Sequence, residues 1–148
     1  MSPHDADLAA LADAVLTLAR EIELRMAEEA DVVALTATAR MVLRHVHHRD
    51  GASPSDIGER LGIKRPNVSE ALRQLERAGL VTRDHPTGDR RGVVVRATPL
   101  ADENLARLRE VWARTLAPAR GMALDAAVLS HSLGDLADAA ADARTGRA

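Results

Sequence analysis

A polar and basic stretch near the middle of the chain carries side chains that could read the edges of nucleic-acid bases. Asparagine can pair with an adenine edge, and arginine can grip a guanine edge or a phosphate group. Glu70, in the same stretch, could accept a hydrogen bond from a cytosine amine or instead orient Arg73. These residue types predict contacts with double-stranded DNA. The simpler alternative is that they form a solvated polar face of a helix. The candidate residues are Lys64, Arg65, Pro66, Asn67, Ser69 and Arg73.

A second cluster of charged residues, Asp89, Arg90 and Arg91, follows in a turn between two β-prone segments. These segments, residues 80–83 and 93–96, are the only β-rich parts of the sequence, and a polar loop with glycine separates them. The pattern predicts a two-stranded hairpin. An arginine at the tip of such a hairpin can reach a phosphate or the minor groove of DNA. The same loop is also typical of a tight turn, and the two interpretations are compatible.

The elements that must position these side chains begin at Ser53. Ser53 can cap the free amides of a short helix, Pro54 suits its first turn, and Asp56 complements its positive end. We expect Ser53 and Ser55 to serve mainly as helix caps, and one of them could also contact a phosphate near the helix N-terminus. After a turn, a second amphipathic helix is predicted over about residues 65–78, followed by the hairpin. This order of elements predicts a winged helix-turn-helix, mainly α with a small β-hairpin wing.

Helices on both sides of this module predict an assembly of two chains. Only 1% of the residues are aromatic, so the core is lean and we expect a second copy to cover the apolar helix faces. The predicted domains are 34–98 for DNA binding, and 1–33 with 99–148 for dimerisation. The first helix has apolar residues at alternating spacings of three and four, which form one seam. The seam residues are Leu8, Leu11, Val15, Leu18 and Ile22.

Charge is unevenly distributed along the chain. The 148 residues have a formal net charge of −2, but residues 44–96 contain eleven Lys and Arg against seven Asp and Glu. This central part therefore carries a net charge of +4, and the flanks together carry −6. A basic centre between acidic flanks is typical of a DNA-binding module carried on a separate scaffold.

Several stretches of the sequence resemble the MarR family of winged-helix repressors. Residues 56–63 and 68–81 resemble its helix-turn-helix, and Asp89 and Arg91 reproduce its Asp-x-Arg wing, followed by a hydrophobic strand. Thr98 then leads into a long helix, with Ala97-Thr98 where the family has a Leu-Thr or similar step. The resemblance covers roughly residues 30–110, and the flanking helices agree in order and length.

The resemblance implies roles for the wing residues and for the assembly. Arg91 is expected to enter the minor groove, braced by Asp89 through a charge-assisted hydrogen bond, while Arg90 meets phosphates. A homodimeric repressor is expected on a pseudo-palindromic operator, with two recognition helices about 34 Å apart. Family members are often released by small aromatic or phenolic acids, so a small-molecule effector is a further expectation. Trp112 is the one aromatic residue of the sequence that could line a pocket for such an effector.

Two other functions remain open from the sequence. A winged helix can serve as a protein-interaction module, which would bind a protein and no DNA. A metal-responsive regulator could use His45 and His48, which lie three residues apart on one helix face. The chain has no cysteine, which excludes a thiolate metal site and a disulfide, and we expect no metal or cofactor. The sequence shows no catalytic motif, signal segment or long apolar run, which predicts a cytoplasmic protein that is not an enzyme and binds no membrane.

Overall fold

The computed structural model describes residues 2–29, 32–84 and 92–146. It consists of helices and one small hairpin, which confirms the predicted fold class. In chain order the elements are α1 (Pro3–Ala27), α2 (Ala37–His48), α3 (Pro54–Leu61), α4 (Arg65–Arg77), β1 (Val81–Asp84), β2 (Val94–Ala97), α5 (Pro99–Thr115), a 3₁₀ helix (Ala117–Gly121) and α6 (Ala126–Thr145).

The chain divides into two compact units. Residues up to Ala34 form one unit together with Ala106–Met122, and Leu35–Leu105 form the other together with the residues from Ala123 onward. The second unit therefore holds the helix-turn-helix, the hairpin and α6. The prediction that residues 1–33 and 99–148 serve dimerisation concerns a second chain, and it stays a prediction.

The helix-turn-helix begins with the cap that the sequence predicts. The Ser53 hydroxyl accepts a hydrogen bond from the Asp56 amide at 3.1 Å, and the Asp56 carboxylate accepts one from the Ser53 amide at 3.4 Å. These reciprocal bonds satisfy two amides that a helix otherwise leaves open. Gly62 then ends α3 with a φ of +67°, a left-handed conformation that glycine adopts easily. The chain can therefore turn sharply into α4.

The core of this unit fixes the rotation of α4 about its own axis. Four residues on one face of the helix are each 3% exposed or less. Fully burying one Leu or Val side chain is worth about 1.5–3 kcal/mol, so these contacts decide which face of α4 turns outward. The buried residues of α4 are Val68, Ala71, Leu72 and Leu75, and further core residues of the unit are Ala39, Val42, Leu43, Val46, Ile57, Leu80, Val81, Val95 and Leu105.

The hairpin pairs β1 with β2 in antiparallel register, which confirms the predicted wing strands. The strands lie one residue later than the sequence pattern predicts. For the first strand, the reason is that Leu80 lies in the turn after α4, where its amide donates to the Leu75 carbonyl at 2.9 Å and its side chain is buried. The Val95 amide donates to the Ala52 carbonyl at 3.0 Å. This bond ties the second wing strand to the residue before the α3 cap.

In the first unit, α1 is long and mostly exposed. Within this helix only Met26 is buried, and its sulfur accepts a hydrogen bond from the Trp112 indole at 2.9 Å. Four of the five predicted seam residues are 37–46% exposed in the single chain. In the second unit, α6 has no buried residue along its length. Among the described residues, no helix is long and apolar enough to cross a membrane.

Candidate nucleic-acid interface

The N-terminal end of α4 presents an exposed and basic surface. Lys64 is the N-cap residue, and Lys64, Arg65, Pro66 and Asn67 are all exposed. The Lys64 side chain makes no capping hydrogen bond, and the positive end of the helix dipole lies at the same place. The structure thus brings four of the predicted site residues together at one helix end. Ser69, one turn further on, is only partly exposed.

Further along α4, one carboxylate joins two arginines. One oxygen of Glu70 lies 2.7 Å from Arg73 Nη2, and the other lies 3.4 Å from Arg77 Nη2. The three side chains are between 59% and 73% exposed. Of the two roles that the sequence leaves open for Glu70, orienting Arg73 is the one that these contacts support. Arg77 is absent from the predicted set, although its spacing of seven residues from Glu70 places it on the same helix face.

The two serines at the start of α3 differ in what their hydroxyls do. The Ser53 hydroxyl donates to Asp56 Oδ2 at 2.7 Å and accepts from the Asp56 amide, so Ser53 serves as the helix cap. Ser55 is exposed in the first turn of the same helix. Ser55 is therefore the better placed of the two to contact a phosphate, and that contact stays a prediction.

Ion pairs hold the base of the wing. Arg96 on β2 contacts the carboxylate of Asp50, in the loop before α3, and lies 3.5 Å from the carboxylate of Asp84 at the end of β1. Arg83 on β1 lies 3.0 Å from Glu76 on α4. Exposed ion pairs contribute at most about 1 kcal/mol each, so their main effect is geometric. They tie the two wing strands to α4 and to the loop before α3.

The wing tip that the sequence predicts, with Asp89, Arg90 and Arg91, lies outside the described residues. The predicted insertion of Arg91 into the minor groove and its brace by Asp89 therefore stay predictions. The described part of the wing ends at Asp84 on one side and resumes at Gly92 on the other.

The histidines at the end of α2 lack the surroundings of a metal site. Among the described residues, no group of three or more His, Asp and Glu side chains is arranged to hold a metal ion. His45 is partly buried, and this burial, followed by the nearby charge of Arg49, lowers the pKa of its imidazole. His47 Nδ1 lies 3.1 Å from the Asp102 carboxylate on α5, and His48 is exposed. The metal-responsive alternative therefore has no ligand set in the described part of the chain.

The arrangement of α3, α4 and the hairpin is that of a winged helix-turn-helix, with helices before and after it. Residues 35–93 match the family model described as the MarR family. This match confirms the resemblance to the MarR family that the sequence shows.

Solved structures share the fold over nearly the whole chain. NadR, in a crystal structure with 4-hydroxyphenylacetate, is 23% identical with a TM-score of 0.67, and the match covers 93% of this chain and 96% of that one. A MarR family protein from Bacillus stearothermophilus is 17% identical with a TM-score of 0.70, over 92% and 95%. The regulator BldR from Sulfolobus solfataricus is 20% identical with a TM-score of 0.68, over 92% and 97%. At these identities the similarity establishes the fold.

Proposed function

We propose that this chain is a sequence-specific DNA-binding transcription regulator that represses as a homodimer. The observation that carries the proposal is the orientation of α4, which leaves Lys64, Arg65, Asn67 and Arg73 exposed beside a two-stranded wing. An α-helix fits the major groove, where residues near its N-terminus reach the base edges. Lysine and arginine on the same surface attract the phosphate backbone. Because its target is chromosomal DNA, we place the protein in the cytoplasm.

The exposed apolar residues of α1 and α6 favour a second copy as the partner. A monomer rarely leaves large contiguous apolar patches in water, and a repeat of three and four residues suits helix packing. A two-fold dimer would place the two copies of α4, the recognition helices, about 34 Å apart on a pseudo-palindromic operator. The exposed apolar residues are Leu8, Leu11, Val15 and Leu18 on α1, and Val128, Leu129 and Leu136 on α6.

A cavity in the first unit supports the proposal of a small-molecule effector. Its volume is about 440 Å³, which lies in the usual range for a small ligand. NadR is seen with 4-hydroxyphenylacetate, but the cavity of this chain is lined by charged residues and two valines. We therefore propose a small polar effector that releases the protein from DNA. The lining residues are Glu29, Val32, Arg107, Glu110, Val111 and Arg114.

Binding-site selection from a random duplex library, followed by footprinting, tests this function. The expected result is an enriched palindrome whose half-sites lie about 10 base pairs apart, with both halves protected. Enrichment of no duplex by the folded protein would overturn the proposal and favour the protein-interaction module. A parallel titration with zinc and with EDTA should leave the affinity unchanged. A zinc-dependent rise in DNA affinity would instead favour the metal-responsive regulator.

A further inference from the structure

A carboxylate lies at the centre of the surface that α4 turns outward. Successive residues of an α-helix are rotated by about 100°, so Glu70 lies about 160° around the helix from Leu72. Leu72 has 0% exposure and marks the core side. Asn67 and Arg73 flank Glu70 on the outward face. A negative charge therefore projects from the middle of the helix face that would meet the major groove.

The contacts of Glu70 contribute little to folding. The Glu70 side chain is 59% exposed, and the Arg73 and Arg77 side chains that it contacts are 63% and 73% exposed. Ion pairs between side chains this exposed add little stability, because water and salt screen them. The stability of the fold therefore does not account for a carboxylate at this position.

On DNA the same carboxylate has two opposite effects. It is repelled by every phosphate, and it competes with phosphates for the guanidinium groups of Arg73 and Arg77, which lowers affinity for any duplex. Its 2.7 Å contact with Arg73 also restricts the rotamers of that side chain before binding. A guanidinium that is already oriented loses less entropy when it forms its two hydrogen bonds with a guanine edge. Glu70 therefore lowers the affinity for any duplex, whereas the orientation of Arg73 raises the affinity only for the matching sequence.

We propose that Glu70 is a specificity-determining residue that positions Arg73 for base reading and withholds Arg73 and Arg77 from phosphates. This inference rests on the proposed function, in which α4 binds DNA. Glu70 acts through Arg73 as a positioning residue. Its presence lowers affinity for non-specific DNA more than affinity for the operator.

Asp13 provides a control of the same formal charge away from the interface. It is an exposed residue of α1, in the other unit of the chain, and it lies about 160° around that helix from Val15 on the seam. Asp13→Asn therefore removes the same formal charge as Glu70→Gln and leaves the arginines of α4 and the ion pairs of the wing in place. An effect of the net charge of the protein on DNA binding appears in both variants.

Fluorescence anisotropy titrations with two labelled duplexes test the proposal. One duplex carries the selected operator, the other is a shuffled duplex of equal length and composition, and both are titrated over a series of KCl concentrations. Glu70→Gln should lower the ratio of operator to shuffled affinity about tenfold, mainly by tighter binding to the shuffled duplex. The salt dependence of shuffled binding should steepen by about one released counterion per new phosphate contact. Asp13→Asn should leave the ratio within about twofold of the wild-type ratio.

A double-mutant cycle separates positioning of Arg73 from a simple charge effect. Arg73→Lys keeps the charge but loses the planar fork, so Glu70→Gln in that background should change the ratio by less than about twofold. An unchanged ratio for Glu70→Gln alone overturns the role of Glu70 while leaving the proposed function intact. A full tenfold drop in the Arg73→Lys background overturns positioning through Arg73. A wild-type protein without preference between the two duplexes overturns both this inference and the proposed function.

Discussion

The guanidinium of Arg60 on α3 lies 2.5 Å from the carboxylate of Asp138 on α6, and it also contacts Asp142, one turn further along the same helix. Arg144 of α6 donates in return to the backbone carbonyls of Glu59 and Arg60, at 3.2 and 2.7 Å. The last helix is thereby attached to the C-terminal end of the first helix of the helix-turn-helix. Since α6 has no buried residue, this attachment depends on polar contacts more than on apolar burial.

Arg60→Ala should loosen the C-terminal end of α6. The variant removes the donor for both carboxylates, so amide hydrogen exchange over residues 138–145 should become several-fold faster, measured by mass spectrometry. Arg25→Ala is the control, because Arg25 pairs only locally with Glu28 on α1 at 3.3 Å in the described contacts. Unchanged exchange in Arg60→Ala would show that the polar contacts do not hold α6.

Leu11→Glu should weaken the proposed dimer. Leu11 lies on the seam of α1 and is 37% exposed, so a charge there would have to be buried against the second copy. Light scattering after size exclusion should show a shift from dimer to monomer at micromolar concentration. Leu16→Glu is the matched control, because Leu16 is 70% exposed and lies off the seam. Equal dimer populations in the two variants would exclude the α1 seam as the interface.

The lowered pKa of His45 predicts that the free energy of unfolding falls in mild acid. Burial lowers the pKa of His45 below its ordinary value of 6.5, so the folded chain binds this proton less tightly than the unfolded chain. Its contribution to the free energy of unfolding is therefore present above pH 6.5 and is lost as the pH falls toward the folded-state pKa. Urea denaturation between neutral and mildly acidic pH should show a weaker pH dependence in His45→Gln. Identical pH dependences would mean that His45 is not the cause.

Arg91→Ala should weaken operator binding about tenfold or more, because the variant loses the proposed contact in the minor groove. The thermal midpoint of unfolding should not change. A gel-shift titration measures the affinity, with Arg120→Ala as the control, since Arg120 is an exposed arginine of the other unit. An unchanged affinity in Arg91→Ala would show that the wing tip does not contact DNA.

Local signals predicted the parts of the fold that depend on near neighbours in the chain. The Ser53–Asp56 cap spans three residues, and the buried positions of α4 recur every three or four residues. For this reason the outward face of α4, with Lys64 to Asn67 at one end, could be predicted before the structure was known. The hairpin strands were predicted with an offset of one residue, because the Leu80 amide bonds to the Leu75 carbonyl in the turn after α4.

Contacts between distant residues could not be predicted in the same way. Arg60 and Asp138 are separated by 78 residues, and Arg96 and Asp50 by 46. Since 28% of the chain is Asp, Glu, Lys or Arg, charge alone does not select one partner among many. Packing in three dimensions makes that selection, so the attachment of α6 and the ion pairs of the wing appear only in the structure.

The helical phase between half-sites tests most directly whether two copies of this chain read one duplex through α4. The measurement compares the affinity for the selected palindrome with that for a duplex in which about five base pairs, half a turn, are inserted between the half-sites. The insertion turns the second half-site to the opposite face of the DNA, so the affinity should fall about a hundredfold or more. Equal affinity for both duplexes, or binding to neither, would contradict a dimeric DNA-binding regulator.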